Sequence, residues 1–213
     1  MRVLVACEFS GVVRDAFIAR GHDAGSCDLL PSERPGPHIQ EEVELVLEDG
    51  WDMLIAFPPC TYLCSSGLHW NKRRPEREQL THEAMLLVFA LVDAPIERIA
   101  LENPIGCIST NYRQPDQIIQ PYQFGHDASK STCLWLKNLP PLKPTEYVEP
   151  RIVNGRKRWG NQTANGQNKL GPSPTRAQDR SRTYQGIADA MAEQWSNVAM
   201  LPLVGIGQLA FSL

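Results

Sequence analysis

The chain has 213 residues, a formal net charge of −3 and six cysteines, which is length enough to bury a core without a disulfide scaffold. Cys7, Cys27, Cys60, Cys64, Cys107 and Cys133 lie in apolar contexts rather than at framework spacing, and no secretory leader opens the sequence, which argues against an extracellular knot and for a reducing, cytoplasmic setting. The total charge excludes a chain that is basic throughout, yet Arg151 to Arg182 holds eight Lys or Arg residues against one acid, Asp179, and Lys72-Arg73-Arg74 forms a second basic cluster. Such concentrated charge suits phosphate, although a solvated basic loop has the same composition.

Taken in order, Arg2 to Cys7 reads as a strand, Gly11 as a turn and Val12 to Arg20 as an amphipathic helix ending at Gly21. A second strand is expected over His22 to Leu29, after which Pro31, Pro35 and Pro37 forbid regular structure. Glu41 to Glu48 has helical spacing, Trp51 to Phe57 reads as a buried strand, and Glu76 to Val92 is the clearest helix. Strands follow over Arg98 to Glu102 and Ser131 to Leu136. This alternation predicts an α/β fold with a mostly parallel sheet covered by helices on both faces. From Pro140 the texture changes: residues 140–182 are rich in Pro, Gly, Asn, Lys and Arg without a sustained period and read as an irregular basic insertion. Thr183 to Val198 resumes as a helix with Ile187, Ala190, Met191 and Trp195 on one face. The apolar tail from Val198 to Leu213 is too short for a membrane span and is expected to pack on the domain or on a partner.

Ligands of such sheets bind beyond the carboxyl ends of the strands. Four strand ends carry suggestive residues: Cys7-Glu8-Phe9-Ser10-Gly11, Asp28, Pro58-Pro59-Cys60 and Glu102-Asn103-Pro104. The first turn lacks two of the three glycines a pyrophosphate needs, so a cofactor without phosphates fits it better. Asp28 is placed to accept from ribose hydroxyls, and Glu42 or its neighbour to meet an adenine edge; an ordinary turn aspartate is the bland alternative.

Cys60 has three readings. A metal ligand is disfavoured, because Cys60 and Cys64 are separated by three residues and no second pair at zinc spacing exists. A buried structural thiol is the second. Against it, two prolines fix an extended path just past a strand and present the next side chain at the rim, which suits a nucleophile. With a protonated carboxyl opposite, for which Glu102 is placed, a thiolate adding at C6 of cytosine while N3 is protonated makes C5 nucleophilic. Partial burial is expected to raise the Glu102 pKa.

These residues resemble the cytosine-C5 DNA methyltransferase family over most of the chain. Pro58-Pro59-Cys60 is similar to its catalytic Pro-Pro-Cys motif, Glu102-Asn103-Pro104 to its Glu-Asn-Val motif, and Ala6 to Gly11 to its first S-adenosylmethionine-binding motif. Arg182-Thr183-Tyr184-Gln185-Gly186-Ile187-Ala188 is similar to the last motif, which closes the cofactor pocket. The likeness is strongest to a compact phage and prophage subgroup, with "DMLIAFPPCTYL", "ALENPIG" and "KSTCLWLKNLPPL". It implies a Rossmann-like S-adenosylmethionine-dependent methyltransferase fold in one catalytic domain over residues 1–213, with S-adenosyl-L-methionine as cofactor and DNA as partner. It also implies no membrane, no metal, and a bacterial or phage-infected cytoplasm. Catalytic roles fall to Cys60, Glu102, Pro59, Asn103 and Lys130. Cofactor contacts fall to Cys7, Glu8, Phe9, Ser10, Gly11, Asp28, Glu42, Pro58, Gly186 and Ile187. Substrate contacts fall to Lys72, Arg73, Arg74, Arg156, Lys157, Arg158 and Arg182.

Two departures stand out. The family's Gln-x-Arg-x-Arg motif is absent, so that Lys130 in Lys130-Ser131-Thr132 would have to supply its charge, and the large target-recognition domain is replaced by the basic segment. About thirty residues can clamp phosphates and make a few base contacts, which predicts short or relaxed sequence specificity. A cytosine nucleotide as substrate, an amino-methyltransferase and a catalytically inactive nucleic-acid-binding relative are the competing readings. Trp135 and Trp195 are expected in the core or as pocket walls, whereas Trp70 and Trp159 are candidates to stack on a base. No histidine has a partner pattern that marks it as a base.

Overall fold

The computed structural model describes residues 1–196. Seven strands form one sheet: β1 (Arg2–Ala6), β2 (Asp23–Cys27), β3 (His38–Ile39), β4 (Met53–Ala56), β5 (Arg98–Pro104), β6 (Gln117–Ile119) and β7 (Thr132–Lys137). Their spatial order is β3-β2-β1-β4-β5-β7-β6. The pairs from β3 through β5 are parallel, and β7 runs antiparallel to both β5 and β6. The chain winds outward from β1 to β3 and then crosses back to β4, so the crevice beyond β1 and β4 is a topological switch point. This is a mostly parallel, doubly wound α/β sheet with helices on both faces and one reversed strand near the far edge.

Strand alternation explains the two helical layers. Val3, Val5, Met53 and Ile55 face α1 (Val12–Ile18) and α6 (Gln185–Ser196), against Phe17, Ile187, Met191 and Trp195. Leu4, Ala6, Leu54 and Ala56 face the other way, toward Met85, Val88 and Leu91 of α3 (Glu76–Val92). Both strands are wholly buried over Val3–Ala6 and Met53–Ala56, and each Leu or Ile so placed contributes about 1.5–3 kcal/mol. Trp135 and Trp195 are core residues whose indole N–H groups donate to Arg113 O (2.7 Å) and Pro140 O (3.0 Å).

Several elements differ from the sequence expectation. Glu41 to Glu48 forms only a 3-10 turn, Val43–Val46, a stretch too short to sustain a full helix on the burial of Val43, Val46 and Leu47. The proline segment ends in β3, and its loop is organised by Arg14, which is fully buried and donates to the carbonyl oxygens of Arg34, Pro35 and Pro37. Residues 140–182 are not wholly irregular. They contain a hairpin, β8 (Arg151–Val153) and β9 (Arg156–Arg158), turned by Asn154 and Gly155, both at positive φ. Further on comes α5 (Arg176–Ser181). The apolar tail lies outside the described residues. No described helix is long and apolar enough to cross a membrane.

Candidate active site

The carboxyl ends of β1, β2, β4 and β5 open into one cleft of about 360 Å3. Its walls carry Cys7 to Ser10 from β1, Asp28 from β2, Pro58 to Cys60 from β4, and Glu102 and Asn103 from β5. Lys130, just before β7, completes the floor, and α5 with Arg182 covers one side.

Cys60 is set by three restraints. Phe57 continues the sheet by donating to Ala6 O (3.0 Å). The buried Asn103 donates from Nδ2 to Pro58 O (2.7 Å), so the carbonyl between strand and nucleophile is gripped from the neighbouring strand. Pro59 then caps a 3-10 turn, Cys60–Tyr62, in which the N–H groups of Leu63 and Cys64 donate to Cys60 O. The exposed Cys60 thiol is thereby presented to the cleft rather than the core. The chain after it is stitched to the loop after β5, since Ser65 N–H donates to Ile105 O (3.0 Å) and Cys107 N–H to Leu63 O (2.8 Å). Gly106 is obligatory there, because a Cβ would fall 1.9 Å from the Leu63 oxygen.

Glu102 leaves β5 between Leu101, buried on one face, and Asn103. Its burial pushes the carboxyl pKa up, against the opposing pull of Lys130 and the Thr132 hydroxyl. The Lys130 ammonium donates to Arg180 O (3.1 Å); the neighbouring Cys64 and burial push the Cys60 thiol up, Glu102 adds to this, and Lys130 works against it. Acid, thiol and ammonium thus share one wall.

On the opposite side, burial raises the Asp28 pKa, and its Oδ1 accepts from Leu30 N–H (2.9 Å). Glu8 is 4% exposed; its Oε1 accepts from Ser10 Oγ (2.7 Å) and Val13 N–H (3.1 Å), whereas Oε2 has no partner. Burial pushes the Cys7 thiol up and keeps it neutral. Phe9 forms an apolar wall with the Arg182 guanidinium 5.9 Å from its ring centre.

Four predicted cofactor residues lie elsewhere. Gly11 adopts a left-handed backbone (φ +71) and packs against Arg14, whose guanidinium nitrogen would be 2.5 Å from an added Cβ. Glu42 precedes the 3-10 turn at the exposed edge of the sheet. Gly186 is pressed on Phe124 O and donates to His126 Nε2 (2.9 Å), outside the cleft lining. Ile187 lines a small neighbouring cavity with Phe57, Glu102 and Tyr184. Sequence reasoning missed Phe57, Thr61 and Leu30 in the cleft, and missed the cover by Ala177, Gln178 and Ser181 of α5. Helix α5 sits in a stretch with no apolar period to reveal it.

The basic residues divide. Arg182 borders the cleft and pairs with Glu33 and Asp179 (both 2.6 Å). Lys72, Arg73 and Arg74 are exposed on the turn before α3, with both guanidinium groups over the exposed Trp70 ring (5.5 and 5.7 Å). Arg156 and Arg158 line a separate depression of about 410 Å3 on the hairpin, and Lys157 is exposed beside them. Trp159 stacks on Tyr122 (4.3 Å) and is 8% exposed, so it is a hairpin anchor rather than a base platform. A second cleft of about 690 Å3, lined by Ser129, Asn161, Lys169 and Tyr184, joins the first through Pro104, Lys130, Arg180 and Arg182. Among the described residues, no group of three or more His, Cys, Asp or Glu is arranged to hold a metal ion.

No protein-family model matches the chain. No curated protein matches it. Among solved structures, the chain is similar to an E. coli protein encoded within a prophage and described as a candidate DNA modification methyltransferase, with 18% identity and a TM-score of 0.41. The match covers 72% of this chain and 53% of that one, so this chain spans about half the length of that protein.

Proposed function

We propose that the chain is an S-adenosylmethionine-dependent methyltransferase that modifies C5 of cytosine in DNA through a covalent bond between Cys60 and C6. The observation that carries this reading is the meeting of the Cys60 thiol, the Glu102 carboxyl and Lys130 in one cleft with a wall of Asp28, Glu8 and Phe9.

The cleft suits this cofactor. Among the described residues it offers no glycine cradle for phosphates, but it has apolar Phe9, Leu30 and Pro58, an acid, Asp28, placed to accept from ribose hydroxyls, and an orphaned Glu8 oxygen that would accept from an ammonium. Bound there, the cofactor supplies an electrophilic methyl group. The protein's part is to make C5 nucleophilic. The Cys60 thiolate forms a bond to C6, the ring electrons move toward N3, and N3 takes the Glu102 proton. A carboxyl held protonated by burial is the form this step needs. Lys130 stabilises the thiolate before attack. Asn103 keeps the Pro58-Pro59 path aimed. Water then takes the C5 proton, the C5–H electrons form the C5–C6 double bond as Cys60 leaves as a thiolate, and N3 returns its proton to the Glu102 carboxylate.

DNA as substrate is supported by the larger basic cleft that opens directly from the smaller one. A target base must leave the stack to enter the cleft where the thiol and Glu102 meet, and a strand would run along Lys169 and Arg180. The test is intact-mass spectrometry after incubation with S-adenosylmethionine and DNA containing 5-fluorocytosine, from which the C5 substituent cannot leave. A protein–DNA adduct present in the wild type and missing in Cys60→Ser is the expected result. An adduct only with 5-fluorodeoxycytidine monophosphate would move the substrate to the nucleotide. No adduct with either, despite a cofactor-induced rise in melting temperature, would overturn the mechanism.

A further inference from the structure

One wall of the larger cleft is a small hairpin-like loop between β9 and α5. Lys169 N–H donates to Asn161 O (2.9 Å) and Thr163 N–H to Gln167 O (2.8 Å), so the two arms pair around an antiparallel bridge between Gln162 and Asn168. Gly166, at positive φ, closes the turn with its N–H on Thr163 O (2.9 Å), and Gln167 N–H donates to Thr163 Oγ1 (3.1 Å). The ladder bonds flank the Gln162–Asn168 pair rather than joining it. That is the narrow position of an antiparallel ladder, with Cα atoms about 4.5 Å apart and both side chains on one face. Both residues line the cleft.

The amide side chains of this cleft are not equivalent. Asn161 is used by the fold: its Oδ1 accepts from Ser129 N–H (3.0 Å) and its Nδ2 donates to Ser129 O (2.9 Å), which anchors the loop beside Lys130. Gln162 Oε1 accepts from Trp159 N–H (3.2 Å), and Asn168 Oδ1 accepts from Leu170 N–H (2.8 Å). A backbone N–H can only donate, so these contacts fix which end of each amide is the oxygen. The two NH2 groups are left over, and among the described residues neither has a hydrogen-bond partner.

We propose that Gln162 and Asn168 read a guanine flanking the target cytosine, their NH2 groups donating to its N7 and O6 in the major groove. This rests on DNA being the substrate of the proposed reaction. Two neighbouring donors whose oxygens are occupied match an edge that presents two acceptors, and in the major groove that edge is guanine. Cytosine and adenine each present an NH2 of their own, and thymine sets a methyl group beside a single acceptor. An unrestrained Asn or Gln would use its oxygen and nitrogen together on adenine; the bonds from Trp159 and Leu170 remove that option. A phosphate also takes donors, but Lys169, next to Asn168 and in the same cleft, brings the charge a neutral amide lacks. The cleft then divides into phosphate contacts, which carry no sequence information, and one base contact, which does.

The experiment is selection of bound duplexes by the intact protein from a DNA pool randomised on both sides of one fixed cytosine, followed by sequencing. Guanine at one flanking position should be enriched at least roughly fivefold over each other base. In a direct binding assay, 7-deazaguanine at that position, which lacks the N7 acceptor at unchanged charge, should lose most of the advantage. Gln162→Glu with Asn168→Asp keeps both oxygens on the Trp159 and Leu170 N–H groups and replaces only the outward NH2 groups by acceptors. In this double variant the guanine enrichment should fall to within about twofold of the other bases. A guanine preference that survives in the double variant, or 7-deazaguanine bound as well as guanine, would overturn the proposal. So would equal enrichment of all four bases, which would make the amides phosphate contacts, and so would an absence of DNA binding. The 7-deazaguanine arm uses the wild-type chain and decides the matter should the double variant fail to fold. Selection by binding needs no methyl transfer. A guanine preference that depends on both amides, in a protein that forms no 5-fluorocytosine adduct, would therefore condemn the cytosine reaction and leave the base reading standing; an adduct without the preference would do the reverse.

Discussion

The cleft behind Cys60 and the basic stretch at 140–182 are built in opposite ways. The cleft residues hang from four strand ends whose preceding side chains are wholly buried, and its loops are locked by bonds such as Asn103 to Pro58 O. The basic stretch consists of a two-stranded hairpin, a six-residue helix and long connections, with Arg156, Lys157 and most of α5 exposed. Reactive groups are held by the core, where sub-ångström placement is maintained by close packing. The groups suited to phosphate sit on a thin layer that can adapt to a strand. Substitutions in the first region should therefore change chemistry, and those in the second should change affinity.

The largest effect expected in this comparison is that of Glu102→Gln. Loss of the proton donor should lower methyl transfer by about 10^2- to 10^4-fold at saturating DNA. The same change should raise stability. Burial lifts the Glu102 pKa above its ordinary value, so above that ordinary value the folded chain holds a proton that the unfolded chain has lost. Stability then falls as pH climbs from the ordinary carboxylate value through the raised one. Glutamine has no such dependence. Melting curves of the variant and the wild type should coincide near about pH 4 and separate in the variant's favour above about pH 6. A variant less stable at every pH would mean that Glu102 is a structural carboxylate rather than a stored acid.

The same contrast decides what could be read from the sequence. The sheet was legible because Val3–Ala6 and Met53–Ala56 are short apolar runs bounded by turn residues, and α3 because its bounds carry Pro75 and Asp93. The joint placement of Cys60, Glu102 and Asp28 followed from the strand-end rule, which needs only strand order. Gly11 packs on Arg14, a neighbour that becomes recognisable only once the loop 31–37 is folded over it. In residues 140–182 the period fails, but a local signal was present: Asn154-Gly155 between Arg151-Ile152-Val153 and Arg156-Lys157-Arg158 is the strongest short hairpin cue. Helix α5 has no such cue, since its place is set by Arg182 and its pairing with Glu33, 149 positions away.

A smaller effect is expected from Arg156→Ala with Lys157→Ala on the exposed strand of the hairpin. If each side chain neutralises one phosphate, the slope of log affinity against log salt should flatten by about 1.8 for the double change. The maximal rate at saturating DNA should stay within about twofold of wild type, since neither residue lines the thiol cleft. Binding measured at several salt concentrations reads this directly. An unchanged slope would remove the hairpin from the DNA-contacting surface and leave the Lys169 and Arg180 side of the large cleft as the phosphate track.

The smallest effect lies at the seam between the two regions. Arg182 forms a forked pair with Glu33 (2.8 and 2.6 Å), so this one contact ties the α5 cover to the loop after β2. Both side chains are 38% exposed, and solvent screening limits the pair to about 0–1 kcal/mol. The hydrogen bonds from Arg182 hold the Glu33 carboxyl below its ordinary pKa. The contribution is therefore present above the ordinary carboxylate value and is lost as pH falls through the depressed one. Glu33→Gln should lower stability slightly at neutral pH and not at all below about pH 3, the reverse of the Glu102→Gln pattern. Because α5 walls the cleft but carries no reacting group, the variant should also weaken cofactor binding by a fewfold while the maximal rate is kept. A fall in maximal rate with unchanged cofactor affinity would instead make α5 part of the catalytic geometry, and the division between a rigid chemical floor and an adaptable cover would have to be redrawn along β7 and Lys130.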